Sequence, residues 1–234
     1  MSILINPNYH EAFSRMGFAY RFKDTEEAII YFTKAIELSS NDAGTFFERG
    51  ELHIEIGEYE KGISDIEKAI KISKSYEVYA YYELGEANYK LKSFDKAIKY
   101  FTQEINWHDA LGISTGGNVF FKRGDSKLKT LDYEGAVADF TLALEDSSSI
   151  FNDFEFKDIY FNRGNSKFAL EDYNGALSDY NMVISLDPKN GNAVFNQGIT
   201  MLRLKDFGSA CKAFSKAGEL GVGEAYKMIQ QYCH

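Results

Sequence analysis

Six glycines recur through the chain at a helical-repeat spacing: Gly17, Gly50, Gly85, Gly124, Gly164 and Gly198. The intervals are 33, 35, 39, 40 and 34 residues, a period near 34 with extra residues before the fourth and fifth units. Each glycine stands in a stretch that otherwise reads as an amphipathic helix, as in "YFNRGNSKFALEDYNGALSDYNMVISLDP" at 160–188. A glycine inside a helix costs roughly 0.5–1 kcal/mol relative to alanine, so six in register require a compensating contact. A period of this size signals an array of helical repeats.

Twelve residues after the glycine stands a second small residue: Gly62, Ala97, Ala136, Ala176 and Ala210, with Ala28 one residue early in the first unit. Seven further on come Ala35, Ala69, Glu104, Ala143, Val183 and Ala217. Large residues precede the glycine by four (Phe13, Phe46, Tyr81, Phe120, Tyr160, Val194) and follow the second small residue by four (Phe32, Ile66, Phe101, Phe140, Tyr180, Phe214). These offsets fall on one face of a helix, so each unit is two helices whose small residues meet and whose large ones surround the contact. Close approach of the two backbones offsets the propensity cost. A larger side chain at the glycine, such as leucine at Gly124, is expected to cost about 1–3 kcal/mol by overpacking.

A helix pair with this Gly, Ala, aromatic and Ala order resembles the tetratricopeptide repeat, and the resemblance runs through most of the chain. It implies an all-α fold, a right-handed α-solenoid of six such pairs plus a C-terminal capping helix. The expected organisation is a single array over 1–234, with repeats at about 9–42, 43–76, 78–111, 117–150, 157–190 and 191–224 and a cap at 222–232. The helix pairs are expected near 9–38, 43–73, 78–108, 117–146, 156–186 and 191–218. Departures from the family pattern are Glu104 at a small-residue position, a one-residue deletion near Lys23, and a closing proline kept only at Pro188 and Pro7. Repeat three is therefore expected to pack least regularly. The segments "LGISTG" (111–116) and "SSSIFNDFEF" (147–156) exceed the repeat and are expected as longer loops or helix extensions.

Both ends carry further expectations. "INPNYHEA" at 5–12 matches "LDPKNGNA" at 186–193, the exit of one repeat and entry to the next. Two readings stay open: a piece of a longer array, or a start on a borrowed turn. "GVGEAYKMIQQYCH" leaves the repeat pattern and offers Tyr226, Ile229 and Tyr232 as an apolar strip, the mark of a capping helix. Cys211 and Cys233 have no framework around them and read as buried or idle thiols.

Composition narrows the function classes. A net charge of −9 disfavours nucleic acid, whose phosphates call for clustered Lys and Arg. No apolar run approaches 18 residues, and "MSILINPNYHEA" lacks the basic start and apolar core of a secretory signal. The chain as given reads as cytoplasmic, with no membrane partner. "RGD" at 123–125 is repeat grammar, since "RGE" and "RGN" occupy the same place at Arg49 and Arg163. The histidines His10, His53, His108 and His234 are scattered, and no nucleophile and base pair or metal-ligand spacing is visible. No catalytic residue, metal or cofactor is expected, and the chain reads as a non-enzyme.

Two polar patterns remain. Arg49, Arg123 and Arg163 precede their glycines in the three units that carry Asp65, Asp139 and Asp179 sixteen residues later, while the other units lack both. The covariation predicts three Arg to Asp pairs between the two helices of a unit. The second pattern lies on the first helices, which line the concave face in the resembling family. One place after the opening large residue come Phe47, Tyr82, Phe121, Phe161 and Phe195, and four residues on come Glu51, Glu86, Asp125 and Asn165. The first unit has Ser14 and Phe18 there, and the sixth has Ile199.

The expected groove is an aromatic ladder with an acidic middle. It would hold a protein or peptide with basic and apolar residues. The family's carboxylate clamp, built from Lys, Asn and Arg over three units, is matched only by Asn165 and Asn196, with Phe161 in place of a lysine. The sequence thus reads as a scaffold for protein binding; the alternative is a self-assembly element that homo-oligomerises through open repeat ends or the convex face.

Overall fold

The computed structural model describes residues 10–39, 41–145 and 153–233, with the side chains of 153–155 left aside. Among the described residues there are thirteen α-helices and no strand. In chain order they are α1 (His10–Tyr20), α2 (Thr25–Leu38), α3 (Ala43–Glu55), α4 (Tyr59–Ile72), α5 (Glu77–Lys90), α6 (Phe94–Leu111), α7 (Gly117–Lys129), α8 (Tyr133–Glu145), α9 (Asp153–Ala169), α10 (Tyr173–Leu186), α11 (Gly191–Arg203), α12 (Phe207–Glu219) and α13 (Gly223–Tyr232). A single 3₁₀ turn at Lys74–Tyr76 leads into α5. The chain falls into two compact units, Met1–Ile113 and Ser114–His234.

Within each unit a helix packs on its sequence neighbours. The first unit holds the pairs α1/α2, α3/α4 and α5/α6, and the second α7/α8, α9/α10 and α11/α12, with α13 on α12. The interhelix turns use one repeated device, a residue with positive φ at Gly57, Lys92, Leu131, Glu171, Lys205 and Gly221. Asp24, Asp132, Asp172 and Asp206 then start the second helix of their units. Each carboxylate accepts the backbone N–H three residues on, at 2.9–3.0 Å. Such a cap contributes about 0.5–2 kcal/mol.

The glycine contacts differ in kind from the expected backbone approach. A Cβ at Gly17 would lie 2.5 Å from Phe32 Cε1, at Gly85 2.5 Å from Phe101 Cε1, at Gly198 2.7 Å from Phe214 Cε1 and at Gly164 2.9 Å from Tyr180 Cε1. The space left by the missing Cβ is filled by the large ring of the partner helix. Of the six repeat glycines, only Gly50 has backbone among the nearest atoms, the Gly62 carbonyl oxygen at 3.0 Å. Those rings and the alanines of the second helices form the fully buried core.

The over-long segments divide as their surroundings allow. The helix α6 runs to Leu111 and ends on Gly112 in the left-handed region, so part of "LGISTG" is helix extension and 113–116 is loop. The helix α9 begins at Asp153, ahead of the expected 156. Residues 146–152, like the "INPN" start, lie outside the described residues. Glu104 is buried despite its charge. Burial pushes its carboxyl up from the ordinary glutamate value, against a smaller pull from His108, whose Nε2 lies 3.4 Å away.

The end of the chain corrects one expectation and narrows another. Cys211 and Cys233 are not idle thiols but form a disulfide with a Cα separation of 5.7 Å. The strip on α13 is only partly covered: Ile229 packs on the core with Met228 and the fully buried Ala225, while Tyr226 and Tyr232 are 56% and 40% exposed.

Candidate functional site

The three Arg to Asp pairs form, and all are bidentate. Arg49 Nε and Nη2 donate to Asp65 at 2.7 and 2.8 Å, Arg123 to Asp139 at 2.8 and 2.6 Å, and Arg163 to Asp179 at 2.9 and 2.6 Å. The aspartates are buried, and each guanidinium also lies 5.4–5.9 Å from the ring that opens its unit, Phe46, Phe120 or Tyr160. Lys127 and Lys167 add a second cation to Asp139 and Asp179 at 2.9 and 2.8 Å. In the second repeat the same register position holds His53, whose Nε2 stands 4.0 Å from Asp65 while Nδ1 meets Glu58 at 2.7 Å. These clusters tie the two helices of a unit together and consume the "RGD" arginine.

The other face of the first helices is built by a second repeated contact. The residue one place after the glycine meets the residue two places before the next glycine. Asn162 Nδ2 donates to Asp125 Oδ1 at 3.2 Å, and Asn196 Nδ2 to Asn165 Oδ1 at 3.0 Å. In the first unit the corresponding residues Glu51 and Glu83 are both acidic and repel. Burial pushes the Glu83 carboxyl up, the charges of Glu51 and Glu86 push it further, and Arg21 pulls it back. Arg21 donates to Glu51 at 2.8 Å and also pairs with Glu48.

The expected groove residues are thus placed unequally. In the first unit Phe47 is 6% exposed and packs on Tyr76 and Tyr79, with centroids 5.3 and 6.4 Å away, so it is foundation rather than surface. Tyr82 is half-buried on Phe101. Glu51 is held by Arg21, and Glu86 is half-buried on α5. In the second unit Phe121, Phe161 and Phe195 each rest on the core ring of their own repeat, Phe140, Tyr180 and Phe214, at 5.7–6.0 Å. Asp125 is only 6% exposed and accepts the Asn162 bond.

Residues outside the expected set carry much of the accessible chemistry. Phe22, in the turn after α1, is 91% exposed, and Tyr79, on α5, is 66% exposed. In the second unit a cavity of about 220 Å³ is lined by Asn165, Phe168, Tyr180, Asn196 and Ile199. The Tyr180 hydroxyl donates to Asn165 Oδ1 at 2.8 Å. With Asn196 on the same oxygen, the carboxamide is oriented and its Nδ2 is left as the donor of the site. The missed residues share a signal: Glu48, Glu83 and Asn162 all stand two before a glycine, as does Asn196.

No group of three or more His, Cys, Asp or Glu side chains among the described residues is placed to hold a metal ion. No described helix is long and apolar enough to cross a membrane.

Paired helices with a glycine under a ring, an acidic helix cap and a positive-φ turn in between define a helix-pair repeat protein. Sequence profiles of the tetratricopeptide repeat match residues 12–42, 47–110 and 158–190, more than half of the chain. The chain belongs to the tetratricopeptide repeat family. It is 32% identical over 102 residues to a wheat (Triticum aestivum) "Hsp70-Hsp90 organizing protein" and 30% identical over 100 residues to "Hsp70-Hsp90 organizing protein 3" of Arabidopsis thaliana. Each match takes in 38% of this chain and only 17% and 18% of those proteins. Among solved structures, YrrB, described as a TPR protein with an unusual peptide-binding site, superposes with a TM-score of 0.70 at 21% identity, covering 86% of this chain and 97% of its own. A MamA structure gives 0.65 at 18% identity over 77% and 92%. These likenesses establish the helical repeat fold.

Proposed function

We propose that the chain is a non-catalytic scaffold that takes up a segment of another protein on the first-helix face of its repeats, and that the segment is basic and apolar. The observation that carries this reading is the charge balance in the first unit, where Arg21 pairs with Glu48 and Glu51 while the half-buried Glu83 carboxyl is pushed up by burial and by the charges of Glu51 and Glu86. A ligand Lys or Arg placed there relieves the repulsion on Glu83. Exposed Phe22 and Tyr79 supply apolar contact for its neighbours. The amide-lined cavity of the second unit, with its oriented Asn165, offers a hydrogen bond to a main-chain carbonyl. The names of the wheat and Arabidopsis relatives are in keeping with a protein partner.

Charge reversal at Glu51, Glu86 and Asp125 is too blunt a test, since Glu51 holds Arg21 and Asp125 holds Asn162. The better probe is Glu83→Gln. Anisotropy with a labelled twelve-residue peptide alternating Arg with Leu or Phe should give at least a tenfold loss of affinity in that variant. Binding by the unaltered chain should also weaken as salt rises, since exposed charges act over a Debye length of about 8 Å. Equal affinity of both proteins, or a peptide with Glu for Arg binding as well, overturns the reading. Concentration-dependent mass by light scattering with no peptide binding would support self-assembly instead.

A further inference from the structure

We propose that the Cys211–Cys233 disulfide is a reversible latch on the last helix: closed, it seals α13 against α12; opened to two thiols, it releases α13 and uncovers the apolar wall beneath. The bridge is placed to do this. Cys211 lies on α12, whereas Cys233 directly follows α13, so the link ties the far end of α13 while a tight turn at Gly221 and Val222 ties the near end.

Little else holds the helix. It has ten residues, no side-chain hydrogen bond at its N-cap, and one fully buried residue, Ala225. Helices shorter than about 12–15 residues are marginal in water without tertiary support. Its remaining apolar residues, Met228 and Ile229, are only partly covered. Both cysteines are half-buried rather than sealed in the core, within reach of a small thiol.

What α13 covers is specific. A cavity of about 170 Å³ lies between it and the preceding repeat, lined by Ile199, Leu202, Arg203, Phe207, Met228 and Tyr232. Ile199 also lines the cavity of Asn165, Tyr180 and Asn196. Departure of Met228 and Tyr232 therefore unseats a wall residue of that second cavity. The latch itself does not depend on what the cavity binds.

The chemistry balances with a dithiol and a disulfide as co-reactants. In opening, a thiolate of a dithiol reductant attacks one sulfur, the other cysteine leaves as a thiolate and takes a proton, and the second thiol of the reductant resolves the mixed disulfide. The protein gains two electrons and two protons, and the reductant becomes a disulfide. Closing reverses this, with a disulfide oxidant accepting the pair.

Two measurements test the proposal without any ligand. Iodoacetamide labelling read by intact mass should add no group to protein equilibrated with oxidised glutathione and two groups after dithiothreitol. Trypsin should then cut after Lys227, on the exposed side of α13, at least tenfold faster in the reduced protein. The Cys211→Ser/Cys233→Ser variant should be cut fast in both buffers. Two labelled thiols in the oxidising buffer, or equal cleavage rates in the two redox states, would overturn it.

Discussion

Gly85→Ala is the substitution whose outcome the packing decides most sharply. A methyl group there lands 2.5, 2.7 and 2.9 Å from Cε1, Cδ1 and Cζ of Phe101, a ring with no exposed surface into which it could swing. Alanine recovers up to about 1 kcal/mol of helix propensity. Overpacking of a filled core costs about 1–3 kcal/mol. The net expectation is a loss of about 1–2 kcal/mol. Gly124 is the internal control, because its new Cβ would stand 3.0 Å from Phe140 Cε1 and 3.1 Å from Asp139 Cβ, a misfit that a few tenths of an ångström of movement removes. There the propensity gain and the misfit should nearly cancel, leaving Gly124→Ala within about 0.5 kcal/mol of the parent. Urea unfolding followed by far-ultraviolet circular dichroism gives both values on one scale. If Gly85→Ala is as stable as Gly124→Ala, the ring under the glycine is not what holds these helices together.

Three other outcomes follow from named contacts. Arg163→Ala strands the buried Asp179 with Lys167 alone and should cost about 3–5 kcal/mol, while Arg163→Met with Asp179→Leu should recover much of it; equal losses in the two proteins would show that the charge pair is not the cause. Leu131 sits at φ 66°, where a side chain costs about 1–2 kcal/mol that glycine avoids at about 0.5–1 kcal/mol of chain entropy, so Leu131→Gly should raise stability by up to about 1 kcal/mol in thermal unfolding. Burial raises the Glu104 carboxyl above its unfolded value, so the folded chain binds more protons and loses stability as pH rises between the two. Glu104→Gln should therefore be the more stable protein at neutral pH, with the gap closing as pH falls toward the unfolded value of about 4.3 and absent below it, which unfolding curves across pH will check.

Much of this architecture could be read from residue offsets alone, because each offset has one geometric meaning. A ring four residues past the second small residue can only fall on the glycine face, which set the helix pairs close to where they lie, and Arg and Asp rising together across six units located pairs that the structure closes at 2.6–2.9 Å. The helix contacts group into two units, Met1–Ile113 and Ser114–His234. One line of candidate residues, from Phe47 to Phe195 and Glu51 to Asn165, is legible in the offsets, but the residues two before the glycine that meet it, Asn162 on Asp125 and Asn196 on Asn165, are not. Arg21 escaped because its partners lie one repeat on, in Glu48 and Glu51. The disulfide was hidden for a different reason. Cys211 occupies the register of Ile63, Ile98, Val137 and Leu177, where sulfur passes for another small apolar side chain.

The habit of each helix to pack on its sequence neighbours also bears on how the chain is made. Contacts so local give a low contact order, and helical proteins of that kind fold in microseconds to milliseconds. A chain is synthesised at about 5–20 residues per second, so the thirty or so residues of one helix pair take seconds to emerge. Every pair therefore has time to close before its successor exists. The apolar seam awaiting a partner at any moment is that of the newest pair, and the stretch of nascent chain open to misassociation stays about one repeat long throughout synthesis.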